Sequence, residues 1–357
     1  MRLFLQHLCA LVVISSVPLA GANDAYPIIK SKLVFGGGNL GRYEPIYWLD
    51  NERVLFGGYE TSGPAQSTGK LVLGKPGLYE WNTRTGAHAR HADLQDPIWT
   101  LCFRDGFVFY SVSGDHTGKY KVVRAGPLGK ERQLDESVPW KDHPELDQCR
   151  PYPREELRPE SKFWKLRPGD GHVTAGGVRT GWGEKIHSGN QNEPVTLHRE
   201  HASAVELPIL AKEMSYSAKF TYSEYAKRYV LIPHTWRAKD LGKLGGSWPK
   251  GQPVPVYLIG PDGETTVVSV PAEQGRPMGA FPTRAGLFWI SNNAPSGHSS
   301  QAGGWILKDG QRIKLFAHLV NGAGVSPDGC RIAYASDPRA RGEAPWVSAI
   351  NLCGEGR

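Results

Sequence analysis

Apolar and polar positions alternate along most of this chain in short runs, and the runs come in pairs. Ile46, Tyr47, Trp48 and Leu49 lead to Asp50-Asn51, and Val54, Leu55 and Phe56 follow directly. The arrangement returns as Ile98 to Phe103, Asp105-Gly106, then Phe107 to Ser111. A third copy runs from Phe163 to Leu166, through Asp170-Gly171, to His172 and Val173. A fourth has Phe220 to Tyr222, Ala226-Lys227, then Tyr229 to Ile232. A fifth has Phe281, Ala285-Gly286, then Leu287 to Ser291. The last reads Gly324 to Pro327, Asp328-Gly329, then Arg331 to Ser336. Alternation of period two marks half-buried strands, and a glycine-bearing turn between two such runs marks a hairpin.

A second pair of short runs follows most of the hairpins. Leu78 to Trp81 precedes Ala87 to Leu94, and Lys121 to Arg124 precedes Glu131 to Leu134. Pro194 to His198 precedes Ala202 to Leu207, and Val254 to Ile259 precedes Thr265 to Val270. Trp305 to Leu307 precedes Arg312 to Phe316. Four strands in each of six repeats predict an all-β fold, a single six-bladed β-propeller. The hairpin turns are spaced by about 43–65 residues, against about 40–50 for a blade, so the excess is assigned to loops. The last repeat has runs near 323–326, 331–335 and 346–352 and no fourth. Lys32 to Phe35 is a spare strand near the start, and pairing it beside 346–352 would close the last blade and remove an exposed edge.

Composition agrees with this reading. Gly 43 and Pro 27 among 357 residues are too many for long helices. Hydrophobic residues at 39% and charged residues at 22% exclude a wholly disordered chain. The one long apolar stretch follows Arg2 and ends in Ala20-Gly21-Ala22, the form of a secretory signal peptide cut before Asn23. Gln6, His7, Ser15 and Ser16 interrupt it, so it suits a membrane span poorly. The expectation is a signal peptide at 1–22 and one propeller domain at 23–357, exported to a periplasm or the outside, without a transmembrane anchor after cleavage.

Removal of the signal leaves Cys102, Cys149, Cys330 and Cys353, an even set in a compartment that permits oxidation. Three pairings exist. Cys330 begins the second strand of the last repeat and Cys353 ends the third, so antiparallel neighbours would bring the two together. Cys102–Cys149 is then the other pair. Free buried thiols are the alternative for both.

The formal net charge is +7 and falls by one with Arg2. Such a charge suits anionic envelope polymers or acidic protein partners, and equally serves solubility. Nucleic acid is not expected outside the cytoplasm.

Val325-Ser326-Pro327-Asp328-Gly329-Cys330-Arg331-Ile332-Ala333-Tyr334 resembles the repeat of TolB-like, WD40-like exported β-propellers. In that repeat a Ser-Pro-Asp-Gly turn leads into an Ile-Ala-Tyr strand. One copy of about a dozen residues carries the resemblance. It implies propeller architecture; the family spans scaffolds, sugar-processing enzymes and peptidase gates, so it does not imply an activity.

Connections between second and third strands, with those between repeats, share one face of such a fold, and here they are the long ones: 60–77, 112–119, 180–193, 235–252, 292–304, 337–345 and 138–161. The segment 234–250 interleaves Trp236 and Trp248 with Arg237, Lys239, Lys243 and Lys250. Cations beside aromatic faces suit anionic, ring-bearing ligands or an acidic protein patch. The plain alternative is a solvated basic loop with its indoles packed down. His116, His187, His234 and His298 fall in or beside connections of the same class and are weak catalytic candidates.

Other chemistry finds little support. His198 and His201 lack the spacing and helix of a zinc peptidase motif. His88 and His91, three apart on a strand, face opposite ways. No Gly-x-Ser-x-Gly elbow occurs, and Gly36 to Gly38 lack the lysine of a phosphate loop. Asp142, Glu145 and Asp147 lack the frame of a calcium loop. No cofactor is expected. The reading is a non-enzymatic exported propeller that binds a protein partner or anionic envelope polymer through its long-loop face. The alternative is a polysaccharide lyase or hydrolase with histidines at the channel mouth.

Overall fold

The paired runs form antiparallel strands, each joined to its neighbour in sequence. The computed structural model describes residues 26–36, 46–64, 71–94, 101–113, 122–148, 163–165, 171–174, 192–199, 202–210, 213, 219–233, 253–271, 277–291, 303–317, 320–336 and 346–354. Strand β1 (Ile28–Phe35) comes first. The first meander is β2 (Tyr47–Trp48), β3 (Arg53–Pro64), β4 (Leu71–Asn82) and β5 (His88–Asp93). The second is β6 (Leu101–Arg104), β7 (Phe107–Ser113), β8 (Val122–Pro127) and β9 (Arg132–Gln133). The third is β10 (Phe163–Lys165), β11 (Gly171–Thr174), β12 (Pro194–Arg199) and β13 (Ala202–Leu210). The fourth is β14 (Lys219–Ser223), β15 (Arg228–Ile232), β16 (Val254–Ile259) and β17 (Thr265–Val270). The fifth is β18 (Pro277–Thr283), β19 (Gly286–Ser291), β20 (Gly303–Lys308) and β21 (Gln311–Phe316). The last is β22 (Val320–Val325), β23 (Arg331–Ser336) and β24 (Trp346–Asn351). Two short 3₁₀ turns, Trp140–Asp142 and Pro144–Gln148, follow β9. Among the described residues no helix is long and apolar enough to cross a membrane.

The second strands β3, β7, β15, β19 and β23 are buried on both faces, and successive side chains divide each between two cores. In β15, Tyr229 and Leu231 pack toward the third meander, while Val230 and Ile232 pack toward the fifth. In β19, Leu287 and Trp289 face the fourth meander, while Phe288 and Ile290 face the last. In β23, Ile332 and Tyr334 face the fifth meander, while Ala333 and Ala335 meet Phe56, Tyr79 and Trp81 of the first. In β3, Leu55 turns the other way, onto Leu101, Phe103 and Tyr110 of the second meander. Each fully buried aliphatic or aromatic side chain contributes about 1.5–3 kcal/mol.

Strand β1 belongs to two edges at once. Ile28, Ile29 and Lys30 pair with Ile350, Ala349 and Ser348 of β24. The register then shifts, and Leu33, Val34 and Phe35 also pair with Glu60, Tyr59 and Gly58 of β3. Ser31 sits at the shift, 7% exposed. Its hydroxyl donates within reach of the carbonyls of Val347 (2.8 Å) and Leu33 (2.9 Å) and accepts the Leu33 N–H at 3.1 Å. A buried bulge leaves backbone groups out of the ladder, and this side chain satisfies them. The outcome is one eight-stranded sheet holding the first and last meanders.

The segment 60–77, expected as loop, is largely strand. The ladder continues through Thr61↔Leu73 and Pro64↔Leu71. Gly63 and Pro64 suggest a break by local propensity, but pairing with β4 overrides them.

Cys330 and Cys353 form a disulfide, with Cα atoms 5.2 Å apart. The bridge joins the chain just before β23 to the chain just after β24. Cys102 lies buried on β6 and is disulfide-bonded as well. Cys149 lies outside the described residues.

Candidate functional site

The short turns between first and second strands define one end of the molecule. Asp105-Gly106 adopts φ of 48° and 79°, the left-handed pair that an Asp-Gly hairpin turn requires. The turn of Ser326, Pro327, Asp328 and Gly329 is a hub. The Ser326 hydroxyl donates to Asp328 Oδ1 at 2.5 Å and accepts the Arg331 N–H at 2.8 Å. Asp328 Oδ1 also accepts the Cys330 N–H at 3.0 Å. The backbone is thereby held in one shape by its own side chains.

Three other meanders reach this hub. Asn51, in the first, accepts the Asp328 N–H at its Oδ1 (3.0 Å), and the Asn51 carbonyl accepts from the Arg331 guanidinium at 2.9 Å. Arg284, in the fifth, donates its backbone N–H to the Gly329 carbonyl and its Nε to the Asp328 carbonyl, each at 3.0 Å. Tyr225, in the fourth, lies so close that a Cβ placed on Gly329 would stand 2.5 Å from its ring. The hub motif is therefore an assembly point for the turns of four meanders.

Because these turns gather at one end, the second strands β3, β15, β19 and β23 all run away from it. Their far ends, Pro64, Ile232, Ser291 and Ser336, mark the opposite end of the molecule. The second-to-third-strand connections of these four meanders leave from there.

The predicted site residues belong to second-to-third-strand connections of four meanders. His116 falls between β7 and β8, His187 between β11 and β12, His234 between β15 and β16, and His298 between β19 and β20. Trp236, Arg237, Lys239, Lys243, Trp248 and Lys250 share the connection of His234. All ten lie outside the described residues.

Ionisable side chains on the first meander are described, and they hold one another. His91 Nε2 stands 3.0 Å from Glu80 Oε2, and Glu80 Oε1 accepts from Arg53 at 3.0 Å. Arg53 also meets Asp50 at 2.6 Å, and Arg84 meets Glu52 at 2.7 Å. His88 contacts a different carboxylate, Glu60, at 3.3 Å. The two histidines of β5 thus serve separate partners. Burial works against the Asp50 carboxylate, but the N–H groups of Glu52 and Arg53 and the Arg53 guanidinium outweigh it and keep its pKa below the ordinary value. The Arg84 guanidinium does the same for Glu52. Apart from Asp50–Arg53, the pairs of this network join residues 11 to 32 positions apart, so local sequence reasoning did not find it.

Glu145 pairs with Arg132 at 3.1 Å and lies 3.9 Å from the buried ring of His143. Among the described residues, no three His, Cys, Asp or Glu side chains are placed to hold a metal ion.

No family model matches the chain, and no curated protein matches it. Solved structures do resemble it. TolB from Acinetobacter baumannii is 11% identical at a TM-score of 0.38, covering 86% of this chain and 65% of its own. This chain thus spans less than two thirds of that protein. Virginiamycin B lyase from Staphylococcus aureus, solved with quinupristin as a catalytically inactive variant, is 11% identical at a TM-score of 0.42, covering 92% and 99%. The β-propeller domain of the Trilobed protease from Pyrococcus furiosus is 9% identical at a TM-score of 0.36, covering 88% and 95%. None of these likenesses assigns an activity to this chain.

Proposed function

We propose that this chain is an exported six-bladed β-propeller that binds an acidic partner surface through its long-loop face. The eight-stranded sheet counts as two blades that share β1 as the closing strand. The order of core packing supports a ring: the clusters join last to first, first to second, third to fourth, fourth to fifth and fifth to last. Innermost strands agree, since β22 neighbours both β2 and β18, β18 neighbours β14, and β14 neighbours β10. Closure by strands from both ends of the chain leaves no open sheet edge at the seam.

One observation carries the functional reading, namely the contrast between the two ends. The turn end is occupied by its own contacts around Asp328, and the nearby charges of the first meander are paired with one another. The second strands β3, β15, β19 and β23 end at the opposite end, and the connection that follows β15 carries Arg237, Lys239, Lys243 and Lys250 with Trp236 and Trp248. Functional residues collect on loops carried by a rigid scaffold. Indole faces beside cations suit acidic side chains or uronates. The disulfide of Cys330 and Cys353 and the leader-like residues 1–22 fit export into an oxidising compartment.

The test is thermal unfolding of residues 23–357 with polyglutamate and, separately, with polygalacturonate. A rise of several degrees with either polyanion, lost in Arg237→Glu/Lys239→Glu, is the expected result. Absence of a shift with both would overturn the reading. Production of unsaturated sugars from polygalacturonate would replace binding with lyase chemistry, and single substitutions of His116, His187, His234 and His298 would then identify the base.

A further inference from the structure

An exposed sheet edge offers unpaired N–H and C=O groups to any passing strand, so such edges normally carry charge or proline. Among the described residues, four of the five outermost strands obey this rule. β5 carries His88, Arg90, His91 and Asp93; β9 carries Arg132; β13 carries Glu206 and Pro208; β21 carries Arg312 and Lys314.

Strand β17 does not. It reads Thr265-Thr266-Val267-Val268-Ser269-Val270, with neither charge nor proline. Five of its six residues are β-branched, the side chains best suited to a pleated surface. All six pair with β16 on one side, and no described strand pairs on the other. Val268 and Val270 turn inward onto the core that contains Trp289. Val267 is 51% exposed, the most exposed large apolar side chain among the described residues. The other two exposed ones, Val72 and Leu73 on β4, are followed closely by Lys75 and Pro76. Arg228 and Glu264 pair with each other at the start of the strand, and Arg228 also donates to the Thr266 hydroxyl at 3.4 Å.

We propose that β17 is a homodimerisation edge, on which two copies of this chain join β17 to β17 antiparallel about a twofold axis. The sequence of the strand selects a second copy as the occupant. Antiparallel pairing centred on Val267 sets that residue opposite its own copy, Thr265 opposite Ser269, and Thr266 opposite Val268. Every opposed pair then has its side chains on one face, as the pleat demands. The exposed valines cover each other, and the Thr265 and Ser269 hydroxyls are placed to hydrogen-bond across the seam. No charge is buried. The same operation on β21 or β5 would bring Arg or Lys against its own copy, which costs free energy. Joining the two fourth meanders produces one eight-stranded sheet across the dimer and satisfies both free edges.

Sedimentation equilibrium of residues 23–357 over a wide concentration range tests this directly. A reversible monomer–dimer equilibrium is expected. Val267→Lys should weaken it at least tenfold, and Val267→Ile should preserve it. The lysine variant is exposed in the monomer, so an unchanged circular dichroism spectrum and melting midpoint will show that it folds. Val267→Cys should cross-link to its own copy under mild oxidation. A wild-type chain that stays monomeric throughout, or a Val267→Lys variant that dimerises as tightly as wild type, would overturn the proposal.

Discussion

Asn51 accepts the backbone N–H of Asp328 across 277 residues of chain. It joins the first hairpin turn to the last, alongside the Arg331 bond to the Asn51 carbonyl. Sheet pairing alone would leave these two turns side by side but unregistered. Asn51→Ala removes the acceptor and should cost about 1 kcal/mol, the ordinary net value of one such bond. Asn51→Asp keeps an oxygen in place and should retain most of that stability. Urea midpoints of the two variants decide between a specific bond and simple proximity.

Gly329 combines two constraints, a φ of +73° and the ring of Tyr225 in the space that a Cβ would take. Gly329→Ala should therefore destabilise by about 1–3 kcal/mol. In a Tyr225→Ala background the collision is gone and only the backbone term remains, so the same substitution should cost less. Equal costs in the two backgrounds would mean that Tyr225 does not pack on the turn. A double-mutant cycle reads the difference.

The Cys330–Cys353 bridge closes a loop over a separation of 23 residues. The chain-entropy relation assigns such a loop about 3 kcal/mol. Cys330→Ser/Cys353→Ser should lower the denaturant midpoint accordingly, with an unchanged slope if the meander remains formed. A smaller loss would show that β23, β24 and β1 hold the seam without the bridge.

Burial raises the phenol of Tyr110 to about 12, and it raises Tyr334, Tyr79 and Tyr257 as well. A folded pKa above the unfolded value means that the contribution is complete below the unfolded value and is lost as pH rises through the folded one. Stability should thus hold up to about pH 10, the ordinary tyrosine value, and decline steeply toward about pH 12. Phenolate absorbance should rise in the same step as the loss of far-ultraviolet dichroism. Ionisation of these four tyrosines well before unfolding would contradict their burial.

Much of the architecture was legible in the residues. The unbroken apolar runs of β15, β19 and β23 mark strands with two buried faces, because a pleated strand sends successive side chains to opposite sides. Turn chemistry located Asp105-Gly106 and Asp328-Gly329, because few residues tolerate positive φ. The position of Cys330 and Cys353 at the facing ends of neighbouring strands foretold their bridge. The length of the β3–β4 hairpin was missed, since Gly63 and Pro64 argue locally against a strand that a partner nevertheless holds.

The candidate site was legible only as positions in sequence. His116, His187, His234 and His298 are recognisable as members of equivalent connections, but their convergence depends on the paths of loops that carry no period. The Glu80 network on the first meander and the reach of Tyr225 to Gly329 likewise have no local signal.

The sequence by itself determined the strands, their hairpin partners, the turn shapes and the cysteine pair at the seam. All of these follow from interactions between near neighbours or from the period of two. Only the tertiary structure decided that β1 serves two edges through Ser31, that Asp328 gathers the turns of four meanders, and that β17 is left, among the described outer strands, as the one without charge and with its valine in solvent. Those outcomes depend on residues hundreds of positions apart meeting in one place. Local periodicity does not encode such meetings; the packing of whole sheets does.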